Sequence, residues 1–168
     1  MDASNHSSNH RSNHSSNSHL QACAVPYRRD GTTISYLVIT SSSGSRWIFP
    51  KGIVEAGEAP LATACTEAFE EAGVRGAATQ EPMSRYRRRK WGKTWEVWVY
   101  PLACEEVNGV WPENWRRRRW VSYEQACSIL SPQLRRILGA VHSALSADSA
   151  AGSGDHPASV PGRSDQDK

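Results

Sequence analysis

Glu67, Glu70 and Glu71 stand close together just ahead of Gly73, and no lysine or arginine falls between residues 52 and 74. The same stretch also holds Glu55 and Glu58, in a chain whose formal net charge is +3. Carboxylates at the end of a helix face the partial negative charge of its last carbonyls. Like charges three and four residues apart also repel, by about 0.2–0.5 kcal/mol per pair. A cation would offset both penalties. Hard divalent ions such as Mg²⁺ prefer carboxylate oxygens and keep waters or substrate phosphates as their remaining ligands. Taken alone, the same glutamates also fit an ordinary solvated acidic face.

The segment around them reads as one helix, over roughly 59–72. Pro60 suits a first turn, where its missing N–H is not needed, and Gly73 suits the left-handed residue just past the end. At about 100° per residue, Leu61, Cys65, Ala68 and Ala72 form an apolar stripe, with the three glutamates on the opposite side.

The spacing Gly52, Glu58, Glu67-x-x-Glu70-Glu71-x-Gly73-Val74 resembles the Nudix box and matches seven of its nine specified positions. The two departures are Thr66, where the family has an arginine that helps to orient a catalytic glutamate, and Ala68, where it has a bulky aliphatic residue. Further likeness runs through Ser41-Ser42-Ser43, Arg46-Trp47-Ile48-x-Pro50, Arg89-Lys90, Thr94-Trp95 and Trp111-x-Glu113 to Arg116–Arg119 and Trp120. These segments resemble the branch that hydrolyses diphosphoinositol polyphosphates and diadenosine polyphosphates. That branch has a histidine after Arg-Lys, where this chain has Trp91-Gly92.

The resemblance implies an α/β fold, an α/β/α sandwich around a mixed β-sheet, and cleavage of a phosphoric anhydride with Mg²⁺ or Mn²⁺. Under it, Glu67 and Glu71 are expected to ligate the metal. Glu70 shares that shell or activates the attacking water, and Glu58 supports them. The Gly52 backbone is expected to approach metal or phosphates because it carries no side chain. Arg46, Lys51, Arg89, Lys90, Arg116 and Arg118 are expected to hold phosphates, since arginine forks bind phosphate oxygens bidentately. Only His142 is expected inside the folded body, which leaves no residue for a histidine nucleophile. Thr66 and Ala68 motivate an alternative, a polyphosphate-binding or regulatory module with little turnover.

Charge is sorted along the chain. Residues 84–119 carry ten of the twenty basic residues against four acidic ones. Basic runs set among Trp91, Trp95, Trp98, Trp115 and Trp120 could also stack nucleic-acid bases. The small overall charge and the adjacent acidic motif favour a small polyphosphate partner instead.

Residues 1–19 hold seven Ser, four Asn and four His, and 146–168 are mostly small and polar, so both ends are expected to be disordered. The domain is then expected over 20–145, with strands near 21–28, 33–40, 46–49, 84–91, 94–102 and 116–121. Two further helices are expected, near 123–130 and 132–145. Asp30-Gly31 marks a hairpin. Cys23, Cys65, Cys104 and Cys127 are widely spaced and expected to be free thiols in a cytoplasmic monomer, with no signal peptide or membrane span.

Overall fold

The computed structural model describes residues 19–90 and 92–151, with side chains described through Asp148. Of the tails expected over 1–19 and 146–168, residues 1–18, with His6, His10 and His14, and residues 152–168 lie outside the described residues, as does Trp91.

Among the described residues eight strands form one mixed sheet: β1 His19–Asp30, β2 Thr33–Thr40, β3 Trp47–Ile48, β4 Lys51–Ile53, β5 Val74–Ala78, β6 Ser84–Lys90, β7 Lys93–Val107 and β8 Arg118–Val121. Three helices among the described residues pack on it: α1 Pro60–Ala72, α2 Tyr123–Ile129 and α3 Pro132–Ala151. β1 and β7 run parallel at the centre, from His19 opposite Trp95 to Tyr27 opposite Ala103. Along its other edge β1 changes partner. Gln21, Ala22 and Cys23 pair with β4, whereas Tyr27 to Asp30 pair with β2. Pro26 lies between the two partners and has no N–H to give a ladder. The strands therefore splay, and a cleft opens at the β4 end.

Alternation along β1, β2 and β7 divides the core in two, as strands covered on both faces require. Cys23, Val25, Tyr36, Val38, Val97 and Val99 face one way, onto Leu130, Leu138 and Val141 of the α2–α3 segment. Each large aliphatic buried there contributes about 1.5–3 kcal/mol. Ala22, Ala24, Leu37, Ile39 and Tyr100 face the other way, onto Ala64, Ala68 and Ala72 of α1. Alanine meets alanine on that side, which lets α1 lie low on the sheet. The result is the expected α/β/α sandwich.

Local signals account for the boundaries. Pro60 opens α1, and Gly73 closes it at φ 67°, its N–H donating to Phe69 O at 2.8 Å. The β1–β2 turn is tight, with Asp30 paired to Thr33 and Gly31 at φ 56°. Ser122 and Gln125 form a reciprocal capping box at the start of α2.

Several expectations shift. β4 and β5 were not expected, because Lys-Gly-Ile and Val-Arg-Gly-Ala-Ala have little intrinsic strand preference. Open edges of β1 and β7 recruit them. Gly76 permits the second pairing, since a Cβ there would sit 1.9 Å from Ala103 O. The strand expected over 116–121 begins only at Arg118, and α3 continues past 145 to Ala151. His19 joins β1, so it leaves the expected tail and adds a second histidine to His142 in the described body.

Candidate active site

The splayed end of the sheet opens onto a cavity of about 1020 Å³. Gln21 and Cys23 of β1 and Lys51 of β4 line it, together with the Ser41–Ser45 loop and Arg46. Across from them stand Arg87, Arg88, Arg89 and Lys90 at the end of β6, and the α2–α3 junction adds an apolar wall of Leu130 and Leu134. Glu71 and Arg116 close the acidic end. One cavity thus carries a dense set of cations beside a buried carboxylate.

The three glutamates do not share one environment. Glu71 is only 6% exposed and sits on the packed side of α1, not on the face opposite Ala68 and Ala72 as the helical wheel implied. Its Oε2 accepts the Lys51 backbone N–H at 2.9 Å, and its Oε1 accepts from Arg116 Nη2 at 2.6 Å. Burial pushes the Glu71 carboxyl up, while the Lys51 N–H and the Arg116 guanidinium pull it back. Glu67 is half-buried and lies over Gly52, where an added Cβ would stand 1.7 Å from Glu67 Oε1. The absent side chain of Gly52 is therefore used first by Glu67. Glu70 faces solvent. Glu58 is exposed in the loop before α1, its N–H donating to Glu55 O at 3.0 Å.

Burial raises the Glu67 carboxyl to about 7, reinforced by the charges of Glu71, Glu70 and Glu113. Lys51 opposes that rise, and Arg116 neutralises part of the charge on Glu71 and Glu113. All the donors are carboxylates, the chemistry that suits a hard divalent cation. The residues present thus fit such an ion in kind, although among the described residues no three His, Cys, Asp or Glu side chains are gathered into a ready cage.

Glu113 enters this set without having been singled out as a site residue. Its N–H donates to Glu70 O at 2.9 Å and its carboxylate accepts from Arg116 Nε. The return of the 108–117 loop to α1 brings it there; the Trp111-x-Glu113 likeness marked the residue without giving it a role. Arg88 was equally missed, yet β6 alternation turns Arg88 and Lys90 to the more buried side with Tyr86, and leaves Arg89 exposed. Gln21 is 6% exposed, and its Oε1 has no hydrogen-bond partner among the described residues. Burial lowers the Lys51 ammonium and pushes the Cys23 thiol up to about 12.

Of the residues expected to hold phosphates, Arg46, Lys51, Arg89, Lys90 and Arg116 line the cavity. Arg118 does not. Its Nη1 donates to Ala72 O at 2.8 Å and its Nη2 to Asn108 O at 2.7 Å, with the guanidinium 3.9 Å from the Trp111 ring centroid. The last turn of α1 contains no basic residue, so Arg118 brings the cation that its carbonyls lack.

Residues 17–141 match the NUDIX domain family. A rat bis(5'-nucleosyl)-tetraphosphatase (asymmetrical) is 32% identical over 124 residues, covering 66% of this chain and 84% of that one. Bovine diphosphoinositol polyphosphate phosphohydrolase 3-beta is 29% identical over 113 residues, covering 66% and 68% respectively. The chain spans 63% of the length of two Arabidopsis thaliana relatives named as mitochondrial Nudix hydrolases. The fold matches a C. elegans Ap4A hydrolase binary complex with a TM-score of 0.65 at 23% identity, covering 77% of this chain and 98% of that one.

Proposed function

The chain belongs to the NUDIX family, and from that premise we propose that it hydrolyses a phosphoric anhydride bond in diphosphoinositol polyphosphates or diadenosine polyphosphates. One observation carries the reading: a cavity lined by Arg46, Lys51, Arg88 and Arg89 also contains Glu71, with Glu67 beside it on the next turn. A polyanion needs the first group, and anhydride cleavage needs charge neutralisation and alignment more than covalent help.

Glu67, Glu70 and Glu71 would hold Mg²⁺, or Mn²⁺ in its place. Such an ion acidifies bound water and neutralises phosphoryl oxygens. Arg46, Lys51, Arg89 and Lys90 hold the phosphates, with Arg88 added to them from the buried side of β6. As the water oxygen bonds to phosphorus and the bridging P–O bond breaks, Glu70, the most exposed of the three carboxylates, receives the proton. Glu58 supports the site from the preceding loop. The four free thiols, Cys23, Cys65, Cys104 and Cys127, suit a reducing compartment such as the cytoplasm. Among the described residues no helix is long and apolar enough to cross a membrane.

Incubation with diadenosine tetraphosphate and diphosphoinositol pentakisphosphate, with and without Mg²⁺, tests the assignment. Glu71→Gln should abolish metal-dependent product release. Unchanged release in that variant would remove Glu71 from the site. The second reading, a binding module, draws on the ungathered carboxylates and on Thr66. It predicts tight polyphosphate binding with no product from the wild-type protein.

A further inference from the structure

Arg116 was expected to hold substrate phosphate, yet its guanidinium is already engaged by the protein. The residue is 7% exposed. Nη2 donates to Glu71 Oε1 at 2.6 Å, Nη1 to Thr40 O at 2.9 Å, and Nε to Glu113 Oε2. The remaining oxygen of Glu71 is held by the Lys51 N–H. Both oxygens of that carboxylate are therefore fixed from outside its own helix. Thr66, by contrast, is exposed, and an arginine there would sit one turn before Glu70 rather than Glu71.

The geometry points to Arg116 as a positioning residue, the cation that sets the orientation of Glu71 and ties it to Glu113 on the neighbouring loop. This rests on the hydrolase reading above, and it withdraws Arg116 from the phosphate-binding set. A lysine at 116 keeps the charge but has one nitrogen, so it cannot bridge two carboxylates and a carbonyl with a planar fork. A misplaced catalytic group costs turnover rather than affinity.

The experiment compares wild type, Arg116→Lys, Arg116→Ala and Arg89→Ala, each checked for folding by thermal melting. Hydrolysis of diadenosine tetraphosphate is measured with Mg²⁺, and Mn²⁺ binding is read separately by electron paramagnetic resonance without substrate. Both Arg116 variants should lose kcat by ~100-fold with KM within ~3-fold of wild type, the loss that a displacement of about 1 Å produces. Both should also bind Mn²⁺ more weakly. Added guanidinium should restore turnover to Arg116→Ala and leave Arg89→Ala, whose defect lies in KM, unrescued. Should Arg116→Ala fail to fold, Arg116→Lys decides the matter by its kcat and Mn²⁺ affinity. A raised KM with intact kcat would make Arg116 a substrate contact and overturn the inference, as would unchanged kcat in both variants. Absence of turnover by the wild-type protein would instead remove the hydrolase reading, and the inference with it.

Discussion

At the end of β6, Arg87, Arg88 and Arg89 line the cavity, and among the described residues no ion pair engages them. The run from Arg116 to Arg119 is just as basic in sequence and is used differently. Arg116 is bound to two carboxylates and Arg118 to the carbonyls that end α1, while Arg117 and Arg119 lie outside near the Trp47 ring. The two runs differ in what surrounds them. Among the described residues β6 pairs only with β7, at the edge of the sheet, and its arginine-rich end opens on a cleft. The second run crosses behind a helix end that has three glutamates and no cation of its own. A basic run is free to hold a ligand only where the fold has not already claimed its donors.

That contrast can be broken by substitution. Arg88→Ala combined with Arg89→Ala should raise KM for a polyphosphate by ~100-fold or more, at about 1.5–3 kcal/mol per charge-assisted contact, with little change in melting temperature. Steady-state kinetics and thermal melting on the same samples check both halves. Arg118→Ala should do the reverse. It uncaps α1 and strands part-buried carbonyls, a cost of about 1–3 kcal/mol, while KM stays within ~2-fold. An equal rise in KM for both substitutions would erase the distinction between the runs.

The acidic side gives a smaller effect with a definite sign. In metal-free protein, Glu67 keeps its proton to about pH 7, whereas its unfolded counterpart releases it near the ordinary value of 4.5. Between those pH values the native state binds more protons than the unfolded state, so stability should fall as pH rises from 4.5 to 7. Differential scanning calorimetry in EDTA should show this decline, flattened in Glu67→Gln. Smallest of all should be Thr66→Arg, which leaves kcat within ~2-fold if Arg116 already orients Glu71. A large gain in kcat would show that the helix needed its own arginine after all.

Strong local signals made much of this legible from sequence. The limits of β2, the Asp30-Gly31 turn, the proline and glycine at the ends of α1, and the two-faced strands all followed from periodicity and turn chemistry. β4 and β5 did not, because pairing rather than propensity creates them. Glu71 was assigned to a site but placed on the wrong face, since a helical wheel cannot know that Lys51 and Arg116 will meet it inside the packed layer. Arg118 and Glu113 were misjudged for a related reason: both owe their roles to the 108–117 loop folding back on α1, a contact between segments far apart in the chain.

The alanines between α1 and the sheet set a dimension of the molecule. Ala22 and Ala24 on one surface and Ala64, Ala68 and Ala72 on the other leave no slack. Glu67 meanwhile reaches over Gly52 at a separation that even one methyl group would block. Enlarging Ala68 by a few carbons would lift the helix like a shim under a lever, at a cost of about 1–3 kcal/mol. The carboxylates would then pivot away from the β4 backbone. The span between the anionic and cationic walls is thus written in side-chain volume one layer beneath them, and it could be retuned there without altering any group that meets the ligand.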